Sequence, residues 1–236
     1  MRASRTICLA IGAFSIASCM WPSTRIISAT ELELSRDDMV LIPEGRHRHM
    51  GRTIDIDPFF LDVNEVTTGA YLLCVRDGAC SPTTTYLQGE YCNLPHGEER
   101  AHHPINCVKY EQAVAFCRWR NARLPSADEW RWAAENRGFR TKFPWGCRRS
   151  PPRTCIPAQG FATCPVGGGY ATRDGILDMG ENVSEWVRTA ENTGAEMGAP
   201  FERRALSERE RDLSLDNYSP GFTGIDVGIR CARDLE

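Results

Sequence analysis

Apolar and polar residues follow a helical period in two stretches near the centre of the chain. Residues 110–121 carry apolar side chains, Cys117 among them, on one side and arginines on the other, so they predict an amphipathic helix. A second helix begins after a capping box in which Ser126 and Glu129 satisfy each other's backbone amides. We expect that helix to end at Gly138.

Before these helices the pattern predicts short strands. Residues 39–45 and 46–51 form a predicted strand pair, because apolar and β-branched residues flank a Pro-Glu-Gly turn. A further strand runs into a helix that Thr67 or Thr68 can cap. Residues 81–103 show little periodicity and are predicted to be a surface loop.

Two pairs of histidines are candidates for metal binding or catalysis. His47 and His49 alternate with arginines, so they lie on one face of a strand. Because the sequence offers no third ligand beside them, we expect a solvent-exposed face without a metal. His102 and His103 precede a proline and are predicted to be loop residues rather than catalysts.

The first eighteen residues differ from the rest of the chain. A basic start precedes a small, apolar run, residues 6–18, which is shorter than the roughly 20 residues needed to cross a bilayer. This pattern predicts an export signal over residues 1–18. Its end, Ile16-Ala-Ser-Cys19, resembles the bacterial lipobox, which implies cleavage before Cys19 and lipid attachment to its thiol. The alternative is a plain secretory peptide that is cut near the same place.

After the signal, polar residues 19–38 are predicted to tether a domain that we place at 39–236. The composition, 42% hydrophobic and 25% charged, suits one globular domain. The formal net charge is −3, and no basic segment in the sequence would recruit nucleic acid. We therefore expect no nucleic-acid partner. The predicted location is the cell envelope, where the lipid anchors the protein to a membrane facing the periplasm or the exterior; without the lipid, the protein would be secreted.

Eleven cysteines in an exported chain imply disulfides, because the compartment is oxidising. Cys8 would leave with the signal and Cys19 would carry lipid; eleven less two leaves nine, so one thiol is unpaired or bonded outside the chain. In the glycine- and proline-rich loop after the central helices, Cys147 is the odd thiol in our preferred pairing, and zinc binding by the three cysteines there is the alternative. The pairings that we expect are Cys74–Cys80, Cys92–Cys107 and Cys155–Cys164.

The most informative stretch is Gly175-Ile-Leu-Asp-Met-Gly-Glu-Asn-Val-Ser-Glu-Trp-Val187. It resembles the signature Gly-x-x-Asp-Met-x-Gly-Asn-Val-x-Glu-Trp-Val of the formylglycine-generating enzyme family, also called sulfatase-modifying factor domains. The resemblance covers roughly residues 39–232 and implies an α+β, C-type-lectin-like fold with little regular secondary structure, stapled by disulfides. Further matches to the family are Ala113–Trp119, Arg123–Ala134, Phe143–Gly146 and Asp226–Ala232.

The resemblance also implies a disulfide and a calcium site. In the family the cysteine of the closing strand bonds that of the first central helix, which implies Cys117–Cys231. Glutamate holds a glycine position of the family's signature, and we expect Gly180, one residue earlier, to supply the unusual backbone angle. The alternative to calcium is that the two acidic side chains only cap turns. The implied calcium ligands are the side chains of Asp178 and Glu185 and the carbonyls of Glu181 and Val183.

The family's enzymes oxidise a cysteine to formylglycine with copper held by two cysteines of a CxxxxC motif before the closing strand. This chain has no cysteine between Cys164 and Cys231, so we expect neither copper nor formylglycine-generating activity. We predict a catalytically silent, lipid-anchored module that binds a protein or glycan through residues 190–225 and the 81–103 loop, or has a structural role. The alternative is an oxidoreductase of the same family with altered metal chemistry, which would need a ligand cluster near residues 201–217.

Overall fold

The computed structural model of the protein describes residues 38–49, 51–82, 91–139, 141, 143–146, 163–191, 193–198, 215–217 and 224–235. The predicted signal, its Cys19, and the cysteines Cys147 and Cys155 lie outside these residues. In the part of the chain that is described, no helix has the length and apolar character needed to cross a membrane.

Short strands and helices make up the regular structure, which confirms the predicted α+β class. The helices are α1 (Thr68–Arg76), α2 (Tyr110–Trp119) and α3 (Ala127–Ala134), and a 3-10 helix covers Leu94–Arg100. The strands are β1 (Met39–Ile42), β2 (Gly45–His49), β3 (Arg52–Ile56), β4 (Phe59–Asp62), β5 (Ser184–Arg188), β6 (Gly194–Met197), β7 (Leu215–Asn217), β8 (Val227–Gly228) and β9 (Ala232–Asp234).

The strands form three small sheets. The first has the order β1-β4-β9, the second is the β2–β3 hairpin, and the third has the order β7-β6-β5-β8. β5 and β8 pair in parallel, whereas the other pairs in the described residues are antiparallel. Because β9 pairs with β4, the last strand of the chain lies beside a strand from the start of the domain.

Two of the helices begin at the caps that the sequence predicts. Thr67, rather than the neighbouring threonine, caps α1: its Oγ1 accepts a hydrogen bond from the Ala70 amide at 3.1 Å. At α3 the capping box is complete, since Ser126 Oγ accepts from the Glu129 amide at 3.1 Å and Glu129 Oε2 accepts from the Ser126 amide at 2.7 Å. These bonds satisfy backbone donors that have no partner inside the helix.

The end of α3 lies earlier than predicted. The helix stops at Ala134, because Asn136 and Arg137 already adopt left-handed φ values of 54° and 60° before Gly138 is reached. The predicted loop 81–103 is also more regular than expected, because it contains the 3-10 helix.

The predicted closing strand, residues 226–232, is in fact two strands in different sheets. β8 pairs with β5, and β9 pairs with β4. The chain crosses from one sheet to the other through Ile229, Arg230 and Cys231, all of which are fully buried. The crossing places a charged side chain, that of Arg230, inside the core.

Two clusters of buried apolar residues form this core. One packs α3, with Trp130, against β1, β4 and the β5–β6 pair. The other packs α1 against α2 and includes Trp186 and the sulfurs of Cys117 and Cys231. β5 contributes Trp186 to the second cluster and Val187 to the first, so this strand joins the two halves of the core.

Three disulfides occur among the described residues, at pairs expected from the sequence: Cys74–Cys80, Cys92–Cys107 and Cys117–Cys231. Cys164 is also disulfide-bonded, but its expected partner, Cys155, lies outside the described residues, so that pairing stays a prediction. The longest bridge spans 114 residues and ties α2 to the segment before β9.

The prediction of an exposed histidine pair is wrong for His47, whose side chain is 2% exposed. The reason is that the β2–β3 hairpin packs against α3 through Trp132. This ring lies so close to Gly45 that a Cβ on that residue would overlap it, and its Nε1 donates a hydrogen bond to the Pro43 carbonyl at 3.1 Å. His47 therefore lies between the hairpin and the helix rather than on a solvent face.

Candidate functional site

The signature stretch folds as a tight turn that leads into β5. Left-handed φ values occur at Asp178, Gly180 and Asn182, at 60°, 75° and 60°. Glu181 is not among the left-handed residues, so its replacement of a glycine causes no backbone strain there. Gly180 supplies a left-handed position one residue earlier. The turn directs the side chains of Asp178 and Glu185 into the interior, where both are buried.

Arg230 lies at the centre of the buried polar groups around this turn. It is 0% exposed, and all five of its N–H groups have acceptors. Nε and Nη2 donate to the Glu185 carboxylate at 2.7 to 3.1 Å. The other donors reach the carbonyls of Asp62, Val63 and Leu177, each at 2.9 Å. One side chain thus joins the end of β4, the signature turn and β5.

Glu185 is held from a second direction by Trp130 of α3. The indole Nε1 donates to Glu185 Oε2 at 2.5 Å. A buried ion pair offsets the cost of leaving water only when further hydrogen bonds complete its geometry. The bond from Trp130 provides this, and it couples α3 to the ion pair between Glu185 and Arg230.

Asp178 and Glu65 are two more buried carboxylates next to this ion pair. Asp178 Oδ2 accepts a hydrogen bond from the Gly167 amide at 2.5 Å. Glu65 Oε1 accepts from the Val183 amide at 3.1 Å, and its Oε2 accepts from Asn182 Nδ2 at 2.6 Å. Each of these carboxylates therefore has protein donors of its own.

The buried cluster contains more acidic than basic groups. Burial, together with the charges of Asp178 and Glu185, raises the pKa of Glu65 well above its ordinary value. Burial also raises the pKa of Asp178, although the Gly167 amide and the charge of Arg230 oppose this shift. Three carboxylates thus surround one guanidinium, and the raised pKa of Glu65 reflects its burial and this excess of negative charge.

The structure gives both acidic side chains of the implied calcium site other partners. Glu185 binds Arg230 and Trp130, and Asp178 binds a backbone amide. Neither belongs to a group of three converging His, Cys, Asp or Glu side chains within the described residues. The alternative role, in which they bond protein groups without a metal, fits this geometry. Calcium at the turn stays a prediction.

The loop histidines do not join the cluster. His102 is exposed, and His103 is half-buried with its Nδ1 2.9 Å from Thr163 Oγ1. Both lie outside regular elements, as the sequence predicts.

A polar surface pocket of about 380 Å³, which the sequence does not indicate, lies where β3, the start of α3 and β9 meet. Arg123 in this pocket forms ion pairs with Glu129 at 2.7 Å and with Asp234 at 2.5 Å. Arg188 also lines the pocket, and its Nε is buried without an acceptor among the described residues. Five carboxylates, those of Asp55, Asp57, Asp128, Glu129 and Asp234, line the pocket together with the two arginines.

Comparison with known protein families gives the same family that the signature turn resembles. The family described as "Sulfatase-modifying factor enzyme 1-like domain" matches residues 24–235. The chain belongs to this family.

Curated members of the family show similarity to this chain over about half of their own length. The formylglycine-generating enzyme of Mycobacterium tuberculosis is 37% identical over 153 residues, which are 55% of this chain and 51% of that protein. The inactive C-alpha-formylglycine-generating enzyme 2 of Mus musculus is 28% identical over 154 residues, which are 57% of this chain and 50% of that protein.

Solved structures show the same fold at lower sequence identity. CarF superimposes with a TM-score of 0.63 at 19% identity, covering 84% of this chain and 98% of that one. PvdO from Pseudomonas aeruginosa gives a TM-score of 0.62 at 20% identity, covering 84% and 94%. The expected sulfatase-modifying factor fold, with short helices, small sheets and disulfides, is thereby confirmed.

Proposed function

We propose that the protein is an exported, lipid-anchored member of the family that does not generate formylglycine and acts as a binding or structural module of the cell envelope. The observation that carries this proposal is the absence of a cysteine between Cys164 and Cys231; the bond between Cys231 and Cys117 keeps Cys231 from serving as a copper ligand in their place. The family's copper is held by two cysteines, and the sequence has no cysteine between Cys164 and Cys231. The residues present do not fit a copper site of that kind.

The surroundings of Cys231 also fit a structural sulfur. The residue is 0% exposed, and its amide donates to Asp62 Oδ2 at 2.8 Å. Asp62 in turn accepts two bonds from Arg120 at 2.9 and 3.0 Å. A catalytic thiolate needs access to solvent and substrate, whereas this sulfur lies in the core.

Family membership alone does not decide activity. The chain is similar both to formylglycine-generating enzymes and to family members whose names describe them as inactive. The fate of the copper-binding cysteines is therefore the more direct argument, and it supports a protein that keeps the fold without the family's chemistry.

A binding role rests on the surface of the domain. The segments predicted to contact a partner, 190–225 and 81–103, lie in large part outside the described residues. Within the described part, the pocket beside Arg188 is lined by five carboxylates and two arginines. Carboxylates accept hydrogen bonds from hydroxyl and amine groups, which supports a glycan or a protein as the partner.

Copper(I) titration combined with oxygen uptake tests the loss of the family's chemistry. The purified protein is titrated with copper(I) and then incubated with a reductant and a cysteine-containing sulfatase peptide, with the Mycobacterium tuberculosis enzyme as the positive control. We expect no stoichiometric copper(I) binding and oxygen uptake at the background rate. Stoichiometric copper(I) or peptide-dependent oxygen uptake would refute the proposal and favour the alternative of an oxidoreductase with altered metal chemistry.

Metabolic labelling with an alkyne-tagged fatty acid tests the anchor. The wild-type protein should carry the label and sediment with membranes, and Cys19→Ala should lose both properties. An unlabelled wild-type protein in the soluble fraction would instead support plain secretion.

A further inference from the structure

His47 and His49 of β2 meet the end of helix α3. The two histidines are two residues apart on the strand and so lie on the same face of it, with their ring centroids 5.8 Å apart. Glu135 is the C-cap residue of α3, and its carboxylate points toward them. One ligand atom from each of the three residues lies within 4.8 Å of the other two. The third ligand that the sequence does not show is thus supplied by the fold.

His47 is buried without strong hydrogen bonds. Its Nε2 has no partner among the described residues, and its Nδ1 lies 3.8 Å from Glu135 Oε2, which is too long for a hydrogen bond. Its main close neighbour besides His49 is the ring of Trp132, edge-on at 6.0 Å. Buried polar side chains nearly always have partners, and a metal ion would give one to the ring nitrogen that binds it.

Charges around the histidines come from α3 and from the hairpin itself, where Arg52 is paired with His49 across the strands. Arg131 and Asp128 face His47 from this helix and lie 3.8 Å from each other as an ion pair. Glu135 adds a negative charge, and the C-terminus of a helix carries a partial negative charge from its last carbonyls. Asp128, Glu135 and the helix end favour a cation at this site, whereas the positive charge of Arg131 opposes one.

We propose that His47, His49 and Glu135 form a zinc site that ties the β2–β3 hairpin to the end of α3. Imidazole nitrogens and a carboxylate are ligands that zinc takes, and three protein ligands leave a fourth position for water. Zinc bonds of about 2.0 to 2.1 Å in a tetrahedron place ligand atoms roughly 3.3 Å apart. With Nδ1 of His47 as the ligand atom, its 3.8 Å separation from Glu135 Oε2 must therefore close by about 0.5 Å, and a pair of ligand atoms at the 4.8 Å limit must close by about 1.5 Å. This site is independent of the proposed binding role.

Zinc titration of the metal-free protein tests the site. The protein is purified without reductant so that the disulfides persist, and any free thiol is alkylated because an odd cysteine would also bind zinc. Affinity is measured against a chromophoric chelator, and thermal unfolding is followed with and without zinc. We expect one zinc per chain and a higher Tm with zinc, because a ligand that binds only the folded state stabilises it.

Conservative variants separate the site from adventitious binding. His49→Gln and Glu135→Gln, at half-buried positions, should each weaken zinc binding at least tenfold and abolish the rise in Tm, whereas His102→Gln, at an exposed loop histidine, should change neither. His47→Phe keeps an aromatic ring in the buried position and should also lose zinc. The proposal is overturned if no stoichiometric zinc binds, or if His49→Gln and Glu135→Gln bind zinc as tightly as the wild type. Copper(I) binding and oxygen uptake are also measured on His49→Gln. Because this variant alters only the proposed zinc site, the outcome of the zinc test stays separate from that of the test of the family's chemistry.

Discussion

Replacing Arg230 with methionine should destabilise the protein severely. The substitution leaves the Glu185 carboxylate buried without its cation and removes the donors to the carbonyls of Asp62, Val63 and Leu177. Methionine is unbranched and apolar, so it fills part of the space of the arginine side chain and limits the loss of volume.

The expected magnitude follows from these contacts. Removing one partner of a buried ion pair costs about 3 to 5 kcal/mol, and each carbonyl left without its donor adds roughly 1 kcal/mol where water does not enter. Protonation of a neighbouring carboxylate offsets part of this cost. We therefore expect a loss of about 4 to 6 kcal/mol, which is a large share of the roughly 5 to 15 kcal/mol that stabilises a typical domain.

A double-mutant cycle measures the coupling directly. Urea unfolding of Arg230→Met, Glu185→Gln and the double variant is followed by tryptophan fluorescence, since Trp130 and Trp186 are buried on either side of the pair. Arg233→Met is the matched control, because Arg233 is on β9 only three residues away and is partly exposed. The free energies of unfolding lost in the two single variants should together exceed the loss in the double variant by about 2 kcal/mol or more. The control variant should lose less than about 1 kcal/mol.

Two results would refute this account of the cluster. One is a loss below about 1 kcal/mol for Arg230→Met, and the other is simple additivity in the cycle. Repeating the unfolding with calcium also tests the implied calcium site. A cation on Glu185 would replace the missing guanidinium, so calcium should restore Arg230→Met if that site exists.

The remaining predictions concern the disulfides and pH. Replacing Cys117 and Cys231 by alanine should lower the free energy of unfolding by about 5 kcal/mol, and replacing Cys74 and Cys80 by about 2 kcal/mol. The difference arises from chain entropy, because the two bridges span 114 and 6 residues. Equal losses in urea unfolding would contradict this explanation. Burial, with the nearby charge of Arg100, lowers the pKa of His103 below 6.5. As pH drops below 6.5, the unfolded chain therefore takes up the proton first and the free energy of unfolding falls. His103→Gln should flatten the plot of unfolding free energy against pH in this range. An unchanged plot would show that the histidine does not titrate in this way.

The sequence is most predictive where structure depends on nearby residues. The capping box at Ser126 and Glu129 depends on bonds between residues three apart, and the Cys74–Cys80 bridge closes a short loop. The signature turn is also local, and Gly180 takes the left-handed φ there that the sequence predicts. The longest bridge, Cys117–Cys231, was accessible only through the family resemblance, because no local pattern relates cysteines that are 114 residues apart.

The features that the sequence does not predict depend on which distant elements meet. His47 looks exposed in a strand that alternates with arginines, and only the packing of Trp132 on the hairpin buries it. Glu65 and Arg230 are ordinary charged residues in the sequence, and they become parts of the buried cluster because β4, β5 and the crossing between β8 and β9 converge. A sequence signal did exist for Arg230, namely a single charge within a short apolar segment, which implies a buried charge with a partner.

The closing segment, residues 226–232, is a fixed part of the core, so a ligand site is to be sought on another face of the domain. Arg230 uses every donor it has on Glu185 and three carbonyls, and Cys231 is held through both its sulfur and its amide. A site that exchanges ligands needs exposure and unsatisfied groups, and this segment has neither. Among the described residues, unsatisfied buried nitrogens occur instead at His47, His96 and Arg188. Ile54 pairs with His47 across the hairpin and lines the pocket that contains Arg188, so two of these three nitrogens border the β2–β3 hairpin. Ligand experiments on this protein should therefore begin at the hairpin and not at the sulfur of Cys231.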